Sequence, residues 1–134
     1  IVDDYGHHPV EIEATLSTAK EVWPDRRLIV VFQPHRYSRT KHLMESFFSS
    51  FNDADVLLLL DIYSAGEKPE ENVHSQKIAE GVKEFGHKNV EYIGETESVI
   101  PHLQNILKPG DIVLTLGAGN IGELSHKLAN RLND

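Results

Sequence analysis

A chain of 134 residues, 40% hydrophobic and 25% charged, has the length and balance of one soluble globular domain, residues 1–134, with a single sizeable core. Cysteine is absent, which excludes disulfides and thiolate metal sites and makes a reducing, cytoplasmic setting the expectation. A formal net charge of -8 argues against nucleic acid as a partner, and the longest aliphatic run, Val56 to Leu60, is too short to span a bilayer.

Ile1 and Val2 read as the tail of a strand running straight into Asp3 and Asp4, an abrupt start expected of a segment cut from a longer polypeptide. Pro9 suits the first position of a helix, because its missing N–H would be unpaired there anyway. Ile12, Leu16, Ala19 and Trp23 continue that helix at its spacing up to Pro24. Leu28 to Phe32 is a buried strand that stops at Gln33-Pro34. Leu43, Phe47 and Phe51 mark one face of a second helix, Val56 to Leu60 a further buried strand, and Ile78, Val82 and Phe85 a third helix closed by Gly86. A short strand over Asn89 to Ile93 and a helix over Val99 to Leu107, begun near Thr96, lead to the turn Lys108-Pro109-Gly110. The strand Asp111 to Leu116 follows, and then a last helix with Asn120 as N-cap, Glu123 three residues on, and Ile121, Leu124, Leu128 and Leu132 on its buried face. Strands apolar on both faces, alternating with amphipathic helices, predict an α/β fold: a doubly wound, mainly parallel sheet flanked by helices on both faces.

Ligands of open α/β sheets sit beyond the carboxyl ends of the strands, so the loops after strands are the place to search. Four of them are rich in chemistry: Asp3 to Pro9 (DDYGHHP), Gln33 to Thr40 (QPHRYSRT), Asp61 to Glu67 (DIYSAGE) and Gly117 to Gly122 (GAGNIG). In a parallel sheet all four open on one edge. Arg36 and Arg39 suit an anionic ligand, since guanidinium forks bind carboxylate or phosphate bidentately and stay charged; pairing with surface carboxylates is the plainer alternative in an acidic chain. His7, His8 and His35 lack a third ligand at a zinc spacing, so hydrogen-bonding roles are expected in place of a metal site, with His8 supporting its loop and His7 facing the ligand. His42, His74, His87, His102 and His126 read as surface residues. GAGNIG matches the dinucleotide fingerprint, but that fingerprint normally sits in the first βαβ unit with an acidic residue about 20 positions on, so a tight strand-to-helix turn is expected in place of a dinucleotide site. No G-x-x-x-x-G-K-S/T loop, Ser-His-Asp set or Cys-His set occurs, so no catalytic residue is assigned and the chain alone is expected to be inactive.

DDYGHHP, QPHRYSRT and DIYSAGE, in this order and with the GAGNIG ending, resemble the C-terminal domain of the Mur ligases across essentially the whole chain, and most of all the branch that joins L-alanine to UDP-N-acetylmuramate. The resemblance implies a cytoplasmic ATP-dependent ligase of peptidoglycan precursor synthesis, and with it cell-wall biogenesis, cell shape and division. Its central and N-terminal domains would lie on the same polypeptide, with Mg2+ bound mainly by the central one. ATP would convert the lactyl carboxylate to an acyl phosphate, which the alanine amine attacks. The resemblance further implies that Asp4 meets the ATP ribose and that Tyr5, His7, His35, Arg36 and Arg39 hold the amino acid and the reacting centre. Gly6 favours the alanine branch over the recycling ligases that attach a tripeptide to the same nucleotide. A stand-alone anion-binding module remains the alternative from another class.

Overall fold

The computed structural model describes residues 1–4 and 6–132, the side chain of the last excepted; the sequence assignments to Tyr5 and to the Leu132 side chain fall outside the described residues. The elements run β1 (Val2–Asp4), α1 (Pro9–Val22), β2 (Leu28–Phe32), α2 (Tyr37–Phe47), β3 (Val56–Leu60), α3 (Ser75–Glu84), β4 (Val90–Gly94), a 3-10 turn (Thr96–Ser98), α4 (Val99–Ile106), β5 (Ile112–Leu116) and α5 (Ile121–Leu132). All pairings of the five-stranded sheet are parallel, in the order β1-β5-β2-β3-β4.

Register and side-chain alternation divide the core in two. On one face Leu28, Val30 and Phe32 line up with Ile112, Leu114 and Leu116 of β5 and, from Val30 on, with Leu57 and Leu59 of β3; α1, α2 and α3 cover them through Ile12, Leu16, Phe47 and Ile78. On the other face Ile29, Val31, Leu58, Leu60 and Val113 are covered by Val99 and Leu103 of α4 and by Ile121, Leu124 and Leu128 of α5. Two-sided burial is why the central strands read as unbroken apolar runs.

Some helix ends differ from the sequence expectation. α2 stops at Phe47; Phe51 lies beyond it in a turn, yet its ring still packs on Phe32, so the apolar spacing reports burial and not helix length. Trp23 caps α1 and lies half-buried just outside it. Phe85 is 61% exposed at the C-cap of α3, against the expectation of a buried face there. β4 and β5 begin at Val90 and Ile112, one residue later than expected.

The chain leaves β2 for α2 on one face and neighbouring β5 for α5 on the other, so the winding changes side between their carboxyl ends. Crevices of this kind are where open α/β sheets take ligands. The buried side chain of Gln33 bridges this one: its amide N–H donates to Asn120 Oδ1 (2.6 Å) and its Oε1 accepts from the Ile121 N–H (3.3 Å).

Candidate functional site

The loop after β1 is built around Asp4. Its Oδ1 accepts from the Gly6 N–H (2.7 Å) and its Oδ2 from the Thr15 hydroxyl (3.4 Å), and a Cβ on Gly6 would stand 3.0 Å from Oδ1. A larger residue at position 6 would therefore press on the carboxylate. His8 is the N-cap of α1: its Nδ1 accepts from the Val10 N–H (3.2 Å), while the Glu11 carboxylate accepts from the His8 N–H (3.2 Å). That reciprocal cap fixes the start of α1, and His7, half-buried just before it, has its ring 5.7 Å from that of His35.

After β2 the backbone turns sharply. Arg36, the N-cap of α2, has φ +69°, a conformation costly for a residue with a Cβ and concentrated at functional sites. Its carbonyl accepts both the N–H (3.1 Å) and the hydroxyl (2.7 Å) of buried Thr40, which holds the strained residue in place. Arg39 follows one helical turn later on the same side. The loop after β3 supports this turn: the Tyr63 carbonyl accepts the Arg36 N–H at 2.7 Å, and Glu67 takes the Ser38 N–H (3.1 Å) and hydroxyl (2.6 Å). The Ser38 hydroxyl and the nearby Arg36 charge hold the Glu67 carboxyl below its usual pKa.

His7, Arg36 and Arg39 line one open depression, together with His8, Glu11, Ser38, His42 and Leu43. Among the described residues neither guanidinium lies within 4 Å of a carboxylate, so surface ion pairing does not account for the two arginines. His35 stands behind them. Burial, helped by His7, Arg36 and Arg39 and opposed by Glu67, lowers its pKa from the ordinary 6.5 and so favours the neutral imidazole. Its Nδ1 is buried without a hydrogen-bond partner among the described residues.

Of the six residues singled out from sequence, His7, Arg36 and Arg39 thus meet at one surface and His35 adjoins it. Asp4 does not line the depression; it borders a groove between α1 and the sheet edge, beside Val2 and Thr15. Sequence reasoning missed His42, which the spacing of three from Arg39 on α2 would have disclosed, and Glu67, whose capping role depends on a contact across 29 residues. His87, read as a surface residue, is instead half-buried and structural, with Nε2 at 2.6 Å from the Ala54 carbonyl. Among the described residues no group of three or more His, Cys, Asp or Glu side chains is placed to hold a metal ion. No helix among them is long and apolar enough to cross a membrane.

The family model of the Mur ligase, glutamate ligase domain, matches residues 1–119. The chain belongs to this family. A Mur ligase relative, the UDP-N-acetylmuramate-L-alanine ligase of Geotalea uraniireducens, is 57% identical over 98% of the chain. The chain spans 29% of that relative's length. Among solved structures, the Mur ligase UDP-N-acetylmuramate-alanine ligase of Thermotoga maritima superposes with a TM-score of 0.72 at 27% identity, covering 97% of this chain and 26% of that one. The murein peptide ligase of Psychrobacter arcticus gives a TM-score of 0.78 at 20% identity over 98% of this chain and 27% of that one, a likeness of fold alone.

Proposed function

We propose that this chain is the C-terminal domain of a three-domain ATP-dependent ligase that joins L-alanine to UDP-N-acetylmuramate in peptidoglycan precursor synthesis. The observation that carries the reading is the pairing of Arg36 and Arg39, without carboxylate partners among the described residues, beside His7 at the carboxyl edge of a parallel sheet. Identity of 57% to a relative named for that reaction supports alanine, whereas likeness to the murein peptide ligase rests on fold alone.

An amide does not form from an unactivated carboxylate at useful rates. In the proposed reaction ATP transfers its γ-phosphoryl group to the lactyl carboxylate, releasing ADP. The alanine nitrogen then adds to the acyl carbon, loses its proton, and the tetrahedral intermediate expels phosphate. Arg36 and Arg39 hold the alanine carboxylate or the charge growing on the acyl phosphate oxygens, the preorganised kind of electrostatic help that often dominates rate enhancement. His7 and Tyr5 orient the amino acid, with neutral His35 behind them. Asp4 accepts from the ATP ribose hydroxyls; its two oxygens are already fixed by Gly6 and Thr15 and retain lone pairs for further donors. Magnesium and the phosphate loop fall to the rest of the polypeptide, and closure of this domain over that centre keeps the acyl phosphate from water.

The test is phosphate release by the full-length polypeptide with ATP, magnesium and UDP-N-acetylmuramate, adding amino acids and short peptides singly, with this chain alone as control. Stimulation by L-alanine and a silent control are expected. Stimulation by a tripeptide alone moves the protein to the recycling ligases, and no stimulation by any addition sinks the ligase reading in favour of an anion-binding module.

A further inference from the structure

We propose that Tyr63 is a positioning residue of this site: its partly exposed ring, in contact with both the His35 imidazole and the Gly119 backbone, sets the placement of His35 and ties the loop after β2 to the loop after β5. Tyr63 lies in the loop after β3 and stacks on His35 with centroids 5.6 Å apart and planes 22° from parallel. The backbone of the glycine loop also comes so near the Tyr63 ring that a Cβ on Gly119 would stand 2.5 Å from Tyr63 Cγ and 2.7 Å from Gln33 Oε1. His7, His35 and Tyr63 thereby form one line of ring contacts that ends on Gly119, linking the loops after β1, β2, β3 and β5.

Backbone bonds place the ring: the Tyr63 N–H donates to the Pro34 carbonyl (2.8 Å), and the Tyr63 carbonyl accepts from Arg36. The residue that supports the strained Arg36 backbone is therefore the one whose ring supports His35. Ring contact is what fixes the imidazole, since its buried Nδ1 has no hydrogen-bond partner among the described residues. The Tyr63 hydroxyl likewise makes no hydrogen bond among them, so the ring and not the oxygen carries the role. The charged and titratable groups facing His35 are His7, Arg36, Arg39 and Glu67. Removing the Tyr63 ring leaves those four in the chain and admits water, which weakens the desolvation that disfavours the charged imidazole.

The inference rests on the ligase reading only for its kinetic arm. In the 134-residue chain, the histidine ring resonances are followed by NMR against pH in Tyr63→Phe, Tyr63→Leu and Gly119→Ala, with exposed His126 on α5 as internal control. The His35 midpoint is expected to rise in Tyr63→Leu and Gly119→Ala and to stay at the parent value in Tyr63→Phe, with His126 unmoved throughout. In the full-length polypeptide the first two variants are expected to raise the KM for alanine about twofold to tenfold, the scale of one aromatic contact, with a smaller change in kcat. A Tyr63→Phe variant that behaves like Tyr63→Leu, or an unmoved His35 midpoint in folded Tyr63→Leu or Gly119→Ala, overturns the proposal. A full-length polypeptide without alanine-dependent phosphate release sinks the ligase reading, and the His35 titration then decides the placement of the ring on its own.

Discussion

Glu67, from the loop after β3, accepts both the backbone N–H and the hydroxyl of Ser38 in the first turn of α2. It supplies from a distance the cap that Arg36, held at positive φ, does not provide with its own side chain. Because these bonds hold the folded-state pKa of Glu67 below the ordinary 4.5, their contribution to stability is present above that value and is lost as pH falls through the lowered one. Glu67→Gln is expected to lower Tm at pH 7 and to approach the parent as the solution is acidified below the carboxylate range. Thermal unfolding at a series of pH values reads this, and a difference independent of pH would remove the carboxylate from the cap.

At the opposite end of the sheet Arg27 donates twice to Asp111 (3.2 and 2.6 Å) and once to the Ile106 carbonyl (2.6 Å), while the Lys108 N–H also donates to Asp111. Arg27 holds the Asp111 carboxyl below its ordinary 3.8, so this pair too stabilises above that pH and weakens as acid protonates the carboxylate. The Asp111 side chain is 7% exposed, and Asp111→Ala strands three donors around it. Urea unfolding at pH 7 is expected to show a loss of about 1.5–3 kcal/mol, the scale of hydrogen bonds to a buried charged group. A change near zero would mean that water replaces the carboxylate without penalty.

The strands were legible because two-sided burial writes an unbroken apolar run: Leu28 to Phe32 and Val56 to Leu60 match the observed bounds. Helix ends were less so. Phe51 and Phe85 share the spacing of their helices, but one is buried by a turn that folds back on Phe32 and the other is left in solvent, and periodicity encodes neither. For the site, the parallel sheet made the clustering of His7, His35, Arg36 and Arg39 foreseeable. Contacts between loops far apart in sequence, such as Glu67 to Ser38 and Tyr63 to Gly119, depend on tertiary placement that no local pattern records.

Asn120 illustrates the same limit and leads to a third test. Its place before α5 reads as a cap, and in the fold its Oδ1 takes the amide of Gln33, whose own Oε1 accepts the first N–H of α5. Gln33→Leu keeps the volume but leaves the Ile121 N–H buried without that acceptor. The expected cost is about 1–3 kcal/mol in chemical denaturation, the penalty for stranding a buried polar group. Backbone amide exchange at Ile121 should rise in the same variant; unchanged protection would show that another acceptor serves the helix.

The two arginines give the sharpest functional test, because they differ in how they are held. Arg36 is exposed and fixed through its strained backbone, whereas Arg39 is half-buried within the first turns of α2. In the full-length polypeptide Arg36→Ala and Arg39→Ala are each expected to cost about 2–4 kcal/mol in transition-state stabilisation, the loss found when a preorganised charge partner is removed. If a residue holds the alanine carboxylate, the loss appears mainly in the KM for alanine; if it meets charge growing on the acyl phosphate, kcat falls instead. Lysine at either position keeps the charge but not the planar fork, so a bidentate role predicts that Arg36→Lys and Arg39→Lys recover only part of the activity. Steady-state kinetics with alanine varied at saturating ATP and nucleotide separates these cases, and normal parameters in Arg36→Ala would take that residue out of the site.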